Sequence, residues 1–197
     1  MNRFLPLACA LLLVFSLDAC ERADKAPQFA LTNITGVSFG KELNLPAHNG
    51  KMRSLGAFKG KVVAVFFGFT HCPDACPTTL AEMAQAMREL GPDAGQVQVL
   101  FVTVDPERDT PEVLKQYVPS FHPSFLGLAG DAEATARVAK EFKVFYQKQP
   151  LKGGGYSVDH SAGTYFFDRE GRLRLFAPFG QGGAAMLHDI RLLLAGA

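Results

Sequence analysis

Residues 62–69, VVAVFFGF, carry no polar side chain. Apolarity at consecutive rather than alternate positions marks a strand covered on both faces, so the chain must fold around a buried sheet with helices packed against it. The run leads straight into THCPDACP, residues 70–77, where two cysteines four positions apart are each followed by proline. A proline drives its predecessor out of the helical region. Cys72 is then extended, and Cys76 takes the conformation of a helix N-cap with Pro77 at the first helical position. Both thiols lie near the positive end of a helix dipole, which favours thiolate over thiol.

The flanking pattern agrees with an α/β chain. Leu80, Met83, Ala84, Met87 and Leu90 form one apolar stripe behind Pro77, and Gly91-Pro92 ends that helix. Residues 97–104, VQVLFVTV, read as a second buried strand. Thr110 and Pro111 read as the N-cap and first position of a helix reaching Val118. A short apolar stretch at 124–130 precedes a helix that starts at Asp131 and stacks Ala134, Val138 and Phe142 on one side. Residues 144–147, VFYQ, read as a strand, and 164–176 as a hairpin whose turn closes at Gly171. Leu187, Ile190 and Leu194 give a last helix its apolar face. Small turns between short apolar stretches at 37–61 imply an opening hairpin. The expected architecture is a central mixed sheet flanked by helices, with an added N-terminal β-hairpin. Cysteines at the junction of a strand and the next helix make the order thioredoxin-like.

At 197 residues the chain is long enough for one domain and a leader. Its net charge of +1, with no block of like charges, argues against a nucleic-acid partner. Arg3 and the apolar residues 4–17 have the length of a signal-peptide core and are short for a membrane-spanning helix. LDAC, residues 17–20, resembles the bacterial lipobox, in which cleavage precedes the cysteine and lipid is attached to it; Asp18 departs from that pattern. The expected layout is a lipoprotein-type signal peptide at 1–19, a tether at 20–30 lipidated at Cys20, and a folded domain at 31–197. An uncleaved N-terminal anchor is the alternative. Either arrangement puts the domain on the periplasmic side of a bacterial membrane, where dithiols tend to oxidise.

Two thiolates a turn apart close into a disulfide or grip a soft cation such as Cu(I). Cys-x-x-x-Cys spacing does not choose between redox and metal work, so a third group has to. Of the five histidines, His48 and His122 lie in loops and read as solvated, and His188 reads as a surface or boundary residue of the last helix. His71 adjoins Cys72 and either tunes its thiolate or faces solvent. His160, in YSVDHSAGTYFF, would by itself read as structural. Met83 and Met87 lie on the apolar stripe and read as core rather than as copper ligands.

The segments GKVVAVFFGFTHCPDACPTTLAEM, LFVTVDPERDTPEVLKQY and YSVDHSAGTYFFDREGRLRL together resemble the Sco/SenC family of copper-binding, thioredoxin-like proteins. The resemblance implies copper, as Cu(I), Cu(II) or both, held by Cys72, Cys76 and His160. It implies delivery of that copper to the dinuclear copper site of cytochrome c oxidase, or preparation of that site's thiols. The implied partners are the copper-site subunit of the oxidase, another periplasmic copper carrier and a thiol reductase. The chemistry of the residues is compatible with this. Two thiolates and one imidazole suit three-coordinate Cu(I), and Cu(II) uses the same set with an added oxygen ligand, whereas zinc wants a fourth ligand. Asp159 is expected to orient His160. Asp105, at the C-terminal end of a strand, either supports the site or caps the following turn. Two functions follow: a membrane-tethered copper chaperone, which needs His160, and a thiol-disulfide oxidoreductase cycling a Cys72–Cys76 disulfide, which does not.

Overall fold

The computed structural model of the chain describes residues 28–197; the expected signal peptide, Cys20 and most of the expected tether lie outside the described residues. β1 (Thr32–Asn33) is followed by an antiparallel hairpin of β2 (Asn44–Pro46) and β3 (Met52–Ser54). This is the opening hairpin expected from the turns at 37–61. It docks beside the main sheet through His48, whose Nδ1 accepts the Gly127 N–H at 3.0 Å and whose own N–H donates to the Gly127 carbonyl at 2.8 Å. His48 is therefore not a solvated loop residue, and burial lowers its pKa. His122 is likewise half-buried, its Nδ1 paired with Ser124 Oγ at 2.8 Å.

The strand β4 (Val62–Gly68) is buried at all seven positions, as its unbroken apolarity requires. After it alternate α1 (Ala75–Leu90), β5 (Val97–Thr103), α2 (Pro111–Phe121), β6 (Leu126–Leu128) and α3 (Ala132–Glu141). Next come two hairpins, β7 (Tyr146–Pro150) with β8 (Tyr156–His160) and β9 (Gly163–Phe167) with β10 (Leu173–Pro178), and then α4 (Gly183–Leu194). The main sheet runs β1-β10-β9-β4-β5-β6, while β7 and β8 form a sheet of their own. β4, β5 and β6 are parallel, and β9 joins the other edge of β4 antiparallel. Leu80, Met83 and Met87 of α1 are buried, as are Ile190 and Leu193 of α4, which packs on α1. The domain is thioredoxin-like, a central mixed sheet flanked by helices. Among the described residues no helix is long and apolar enough to cross a membrane.

Several elements differ from the sequence expectation, and the strand expected over 144–147 runs instead over Tyr146–Pro150. α1 begins at Ala75, because the Thr78 N–H donates to the Asp74 carbonyl at 3.1 Å and closes a turn ahead of the proline. Cys76 is thus inside the first helical turn and is not its N-cap. Pro77 is tolerated there because first-turn amides have no helical acceptor to lose. α2 continues to Phe121, through Pro119, since burial of Val118 and stacking of Tyr117 on Phe121 (ring centroids 5.2 Å apart) favour the extra turn. β8 had no strand signature: its five residues include Ser157 and Asp159, and it pairs with a strand that lies outside the main sheet.

Candidate metal centre

The chain leaves β4 at Gly68 and turns sharply, with the Cys72 N–H donating to the Phe69 carbonyl at 3.2 Å. Cys72 is half-buried, and its Sγ accepts the Cys76 N–H at 3.4 Å. That amide belongs to the first turn of α1, so the helix N-terminus donates directly to the sulfur. Cys76 is fully buried. Its Sγ is 2.7 Å from where a Cβ on Gly68 would stand, so residue 68 leaves room for the sulfur only as glycine. His160 ends β8 and comes from the other side: its Nε2 lies 3.5 Å from Cys76 Sγ. Its Nδ1 lies 3.1 Å from the Ser161 carbonyl oxygen. A carbonyl only accepts, so Nδ1 donates to it, and this bond orients the ring with Nε2 toward the sulfurs. The donor atoms of Cys72, Cys76 and His160 all lie within 4.8 Å of one another.

The two thiols are electrostatically unequal. A hydrogen bond from the Cys76 thiol, helped by the Asp74 and Cys76 amides and by the His160 ring, outweighs burial and pulls the Cys72 thiol down to about 5. The same hydrogen bond, together with burial, pushes Cys76 far up. The pair therefore holds one thiolate and one thiol at neutral pH, the proton residing on the buried sulfur. Two soft sulfurs and one imidazole in a three-donor cluster suit Cu(I) and do not complete a structural zinc site.

The expected supporting residues are placed differently. His71 is exposed, and its Nδ1 pairs with Thr70 Oγ1 at 3.1 Å rather than with a cysteine. Asp159 is exposed on the opposite side of β8 from His160, because successive strand residues alternate faces. The Ser161 carbonyl does what Asp159 was expected to do. Asp105 is buried but does not touch the three donors. It accepts from the Tyr156 hydroxyl at 2.8 Å and pairs with Arg108. Sequence reasoning missed Asp109, which is fully buried and accepts from the Thr70 N–H (3.0 Å), the Thr70 hydroxyl (2.6 Å) and the Thr103 hydroxyl (2.6 Å). It clamps the entry to the cysteine turn. The available signal was DPERD itself, whose second aspartate also follows a buried strand. Met83 and Met87 are core, as expected.

The profile of the SCO1/SenC family matches residues 23–195. The chain belongs to the SCO1/SenC family. Among relatives of this SCO1/SenC protein, the mitochondrial protein SCO2 homolog of Bos taurus is 43% identical over 133 residues, 66% of this chain and 50% of that protein. The SCO2-like protein of Rickettsia felis is 37% identical over 169 residues, 83% of this chain and 80% of that protein. The match thus spans half the length of the bovine relative and most of the rickettsial one. The structure of Bradyrhizobium japonicum ScoI with copper bound is 40% identical and superposes with a TM-score of 0.72, covering 80% of this chain and 100% of that one.

Proposed function

We propose that this SCO1/SenC protein is a copper chaperone that binds copper through Cys72, Cys76 and His160 and supports assembly of the dinuclear copper site of cytochrome c oxidase. The reading rests on one observation: donors 84 positions apart in the chain, Cys76 Sγ and His160 Nε2, approach to 3.5 Å with Nε2 turned inward. The copper-bound relative supports the choice of metal. Copper is here the cargo, and loading it displaces the proton of Cys76. Export under the signal peptide and lipid on Cys20 would hold the domain at the periplasmic face of the membrane. The intact mass of membrane-extracted protein tests that step, and retention of residues 1–19 would refute it.

The asymmetry of the two thiols favours a second reading, a thiol-disulfide oxidoreductase. The Cys72 thiolate would attack a partner disulfide and release one partner thiolate. Cys76, on losing its proton, would then displace the second, leaving a Cys72–Cys76 disulfide and a reduced partner. His160→Ala separates the two. A chaperone without its imidazole fails to assemble the oxidase copper site although the dithiol still cycles, whereas a reductase assembles it nearly normally. Normal oxidase activity in cells carrying only that variant, at normal protein level and without added copper, would select the reductase.

A further inference from the structure

His160 is carried by a hairpin outside the main sheet, so its distance from the cysteines depends on whatever holds that hairpin. The grip comes from the loop after β5. Arg108 donates from Nη1 to the Tyr156 carbonyl at 2.8 Å, at the start of β8. Its guanidinium carbon lies 3.8 Å from the centroid of the Tyr156 ring, a stacked cation-π contact. Asp105, fully buried, holds both partners: it pairs with Arg108 Nε and accepts from the Tyr156 hydroxyl at 2.8 Å. The Arg108 guanidinium also lies 5.8 Å from the centroid of the Phe69 ring. Phe69 in turn meets the His160 imidazole edge-on, with centroids 5.7 Å apart and planes at 87°. Tyr156 and His160 are four apart on one strand and therefore share a face.

We propose that Arg108 is a positioning residue for His160, clamping the β7–β8 hairpin so that the imidazole stays within bonding range of the two sulfurs. The inference rests on the three-donor copper reading above. Arg108 touches no donor atom of that set and acts through the placement of β8. Its effect should therefore fall on the copper state that depends on the imidazole. Two thiolates alone satisfy Cu(I), whereas Cu(II), the harder ion, leans on nitrogen.

The test compares the parent, Arg108→Lys, His160→Ala and the double variant. Lysine keeps a cation beside Asp105 but lacks the flat fork that stacks on Tyr156 and reaches its carbonyl. The readouts are Cu(II) affinity by chelator competition, imidazole nitrogen coupling in the Cu(II) electron paramagnetic resonance spectrum, and amide exchange of residues 156–160 in the copper-free protein. Arg108→Lys should weaken Cu(II) binding about 10-fold, reduce the nitrogen coupling and speed exchange in β8. In the His160→Ala background it should cost nothing further. Tyr156→Leu, which removes the stacked ring, should reproduce these effects and serves if Arg108→Lys does not fold. An equal loss with and without His160 would overturn the proposal, since Arg108 would then act on the cysteines or the fold. Unchanged binding in Arg108→Lys beside weakened binding in His160→Ala would overturn it and leave the ligand set standing. Unchanged binding in His160→Ala would overturn both.

Discussion

Cys76 Sγ and His160 Nε2 stand 3.5 Å apart across 84 positions of sequence. One is carried by the first turn of α1 and the other by the end of β8. The loop between β5 and α2 reaches both: Asp109 grips Thr70 just before the cysteines, and Arg108 grips Tyr156 on the strand that ends in His160. A cation entering the gap has to displace the proton of Cys76, because Cys72 is already a thiolate.

That inequality sets the pH dependence of copper loading. Cys72 titrates near 5 and Cys76 far above neutrality, so Cu(I) binding at pH 7 should release one proton. Affinity measured against a Cu(I) chelator should rise about tenfold per pH unit between roughly pH 6 and 8. It should change more steeply below about 5, where Cys72 also takes up a proton. A rise of about a hundredfold per unit at neutral pH would show that both sulfurs deprotonate together.

Gly68→Ala should damage the site without touching a ligand. The new Cβ would stand 2.7 Å from Cys76 Sγ and 2.9 Å from the Phe101 ring, so the sulfur or the ring must shift in a filled core. The expected cost is about 1–3 kcal/mol in urea unfolding, with Cu(I) affinity lowered about 10-fold. Parent-like values for both would mean that the sulfur has room to spare.

Asp109→Ala should loosen the cysteine turn. It strips the acceptor from the Thr70 N–H, the Thr70 hydroxyl and the Thr103 hydroxyl, the last two buried or partly so. Unsatisfied buried donors make a loss of about 3 kcal/mol the expectation. Asp109→Asn, which keeps one carbonyl oxygen as an acceptor, should lose less. Equal stability of the alanine variant and the parent in denaturant titration would contradict the clamp.

Asp168 gives a pH signature away from the site. Burial would raise its pKa, but the Arg172 N–H and the Arg172 and Arg174 guanidinium groups outweigh burial and hold it below the usual 3.8. A carboxyl depressed in the folded state contributes stability that is complete above its ordinary value and disappears as pH falls through the folded one. Asp168→Asn should therefore cost about 2 kcal/mol at pH 7, and the gap to the parent should close as the pH drops below about 3.8. A gap independent of pH would place the cost in side-chain shape rather than charge.

Much of the domain was legible in local pattern. The unbroken apolar run at 62–69 and the largely apolar run at 97–104 read as strands buried on both faces, and they became β4 and β5. The Thr110-Pro111 pair became the cap and first residue of α2, the Thr110 side chain accepting the Val113 N–H. Such features depend on geometry within one element, which period and capping chemistry express directly. The supporting residues of the site were not legible in this way. Asp159 neighbours His160 in the chain, yet alternation along β8 sends it to the far face, and a backbone carbonyl takes its expected place. Asp105 and Asp109 look alike in DPERD, yet one holds Arg108 and Tyr156 and the other holds Thr70. Which group meets which depends on β9 lying beside β4 and on a hairpin that docks outside the sheet. Those distances are set by side chains packing across more than 80 positions of sequence, and no local period encodes them.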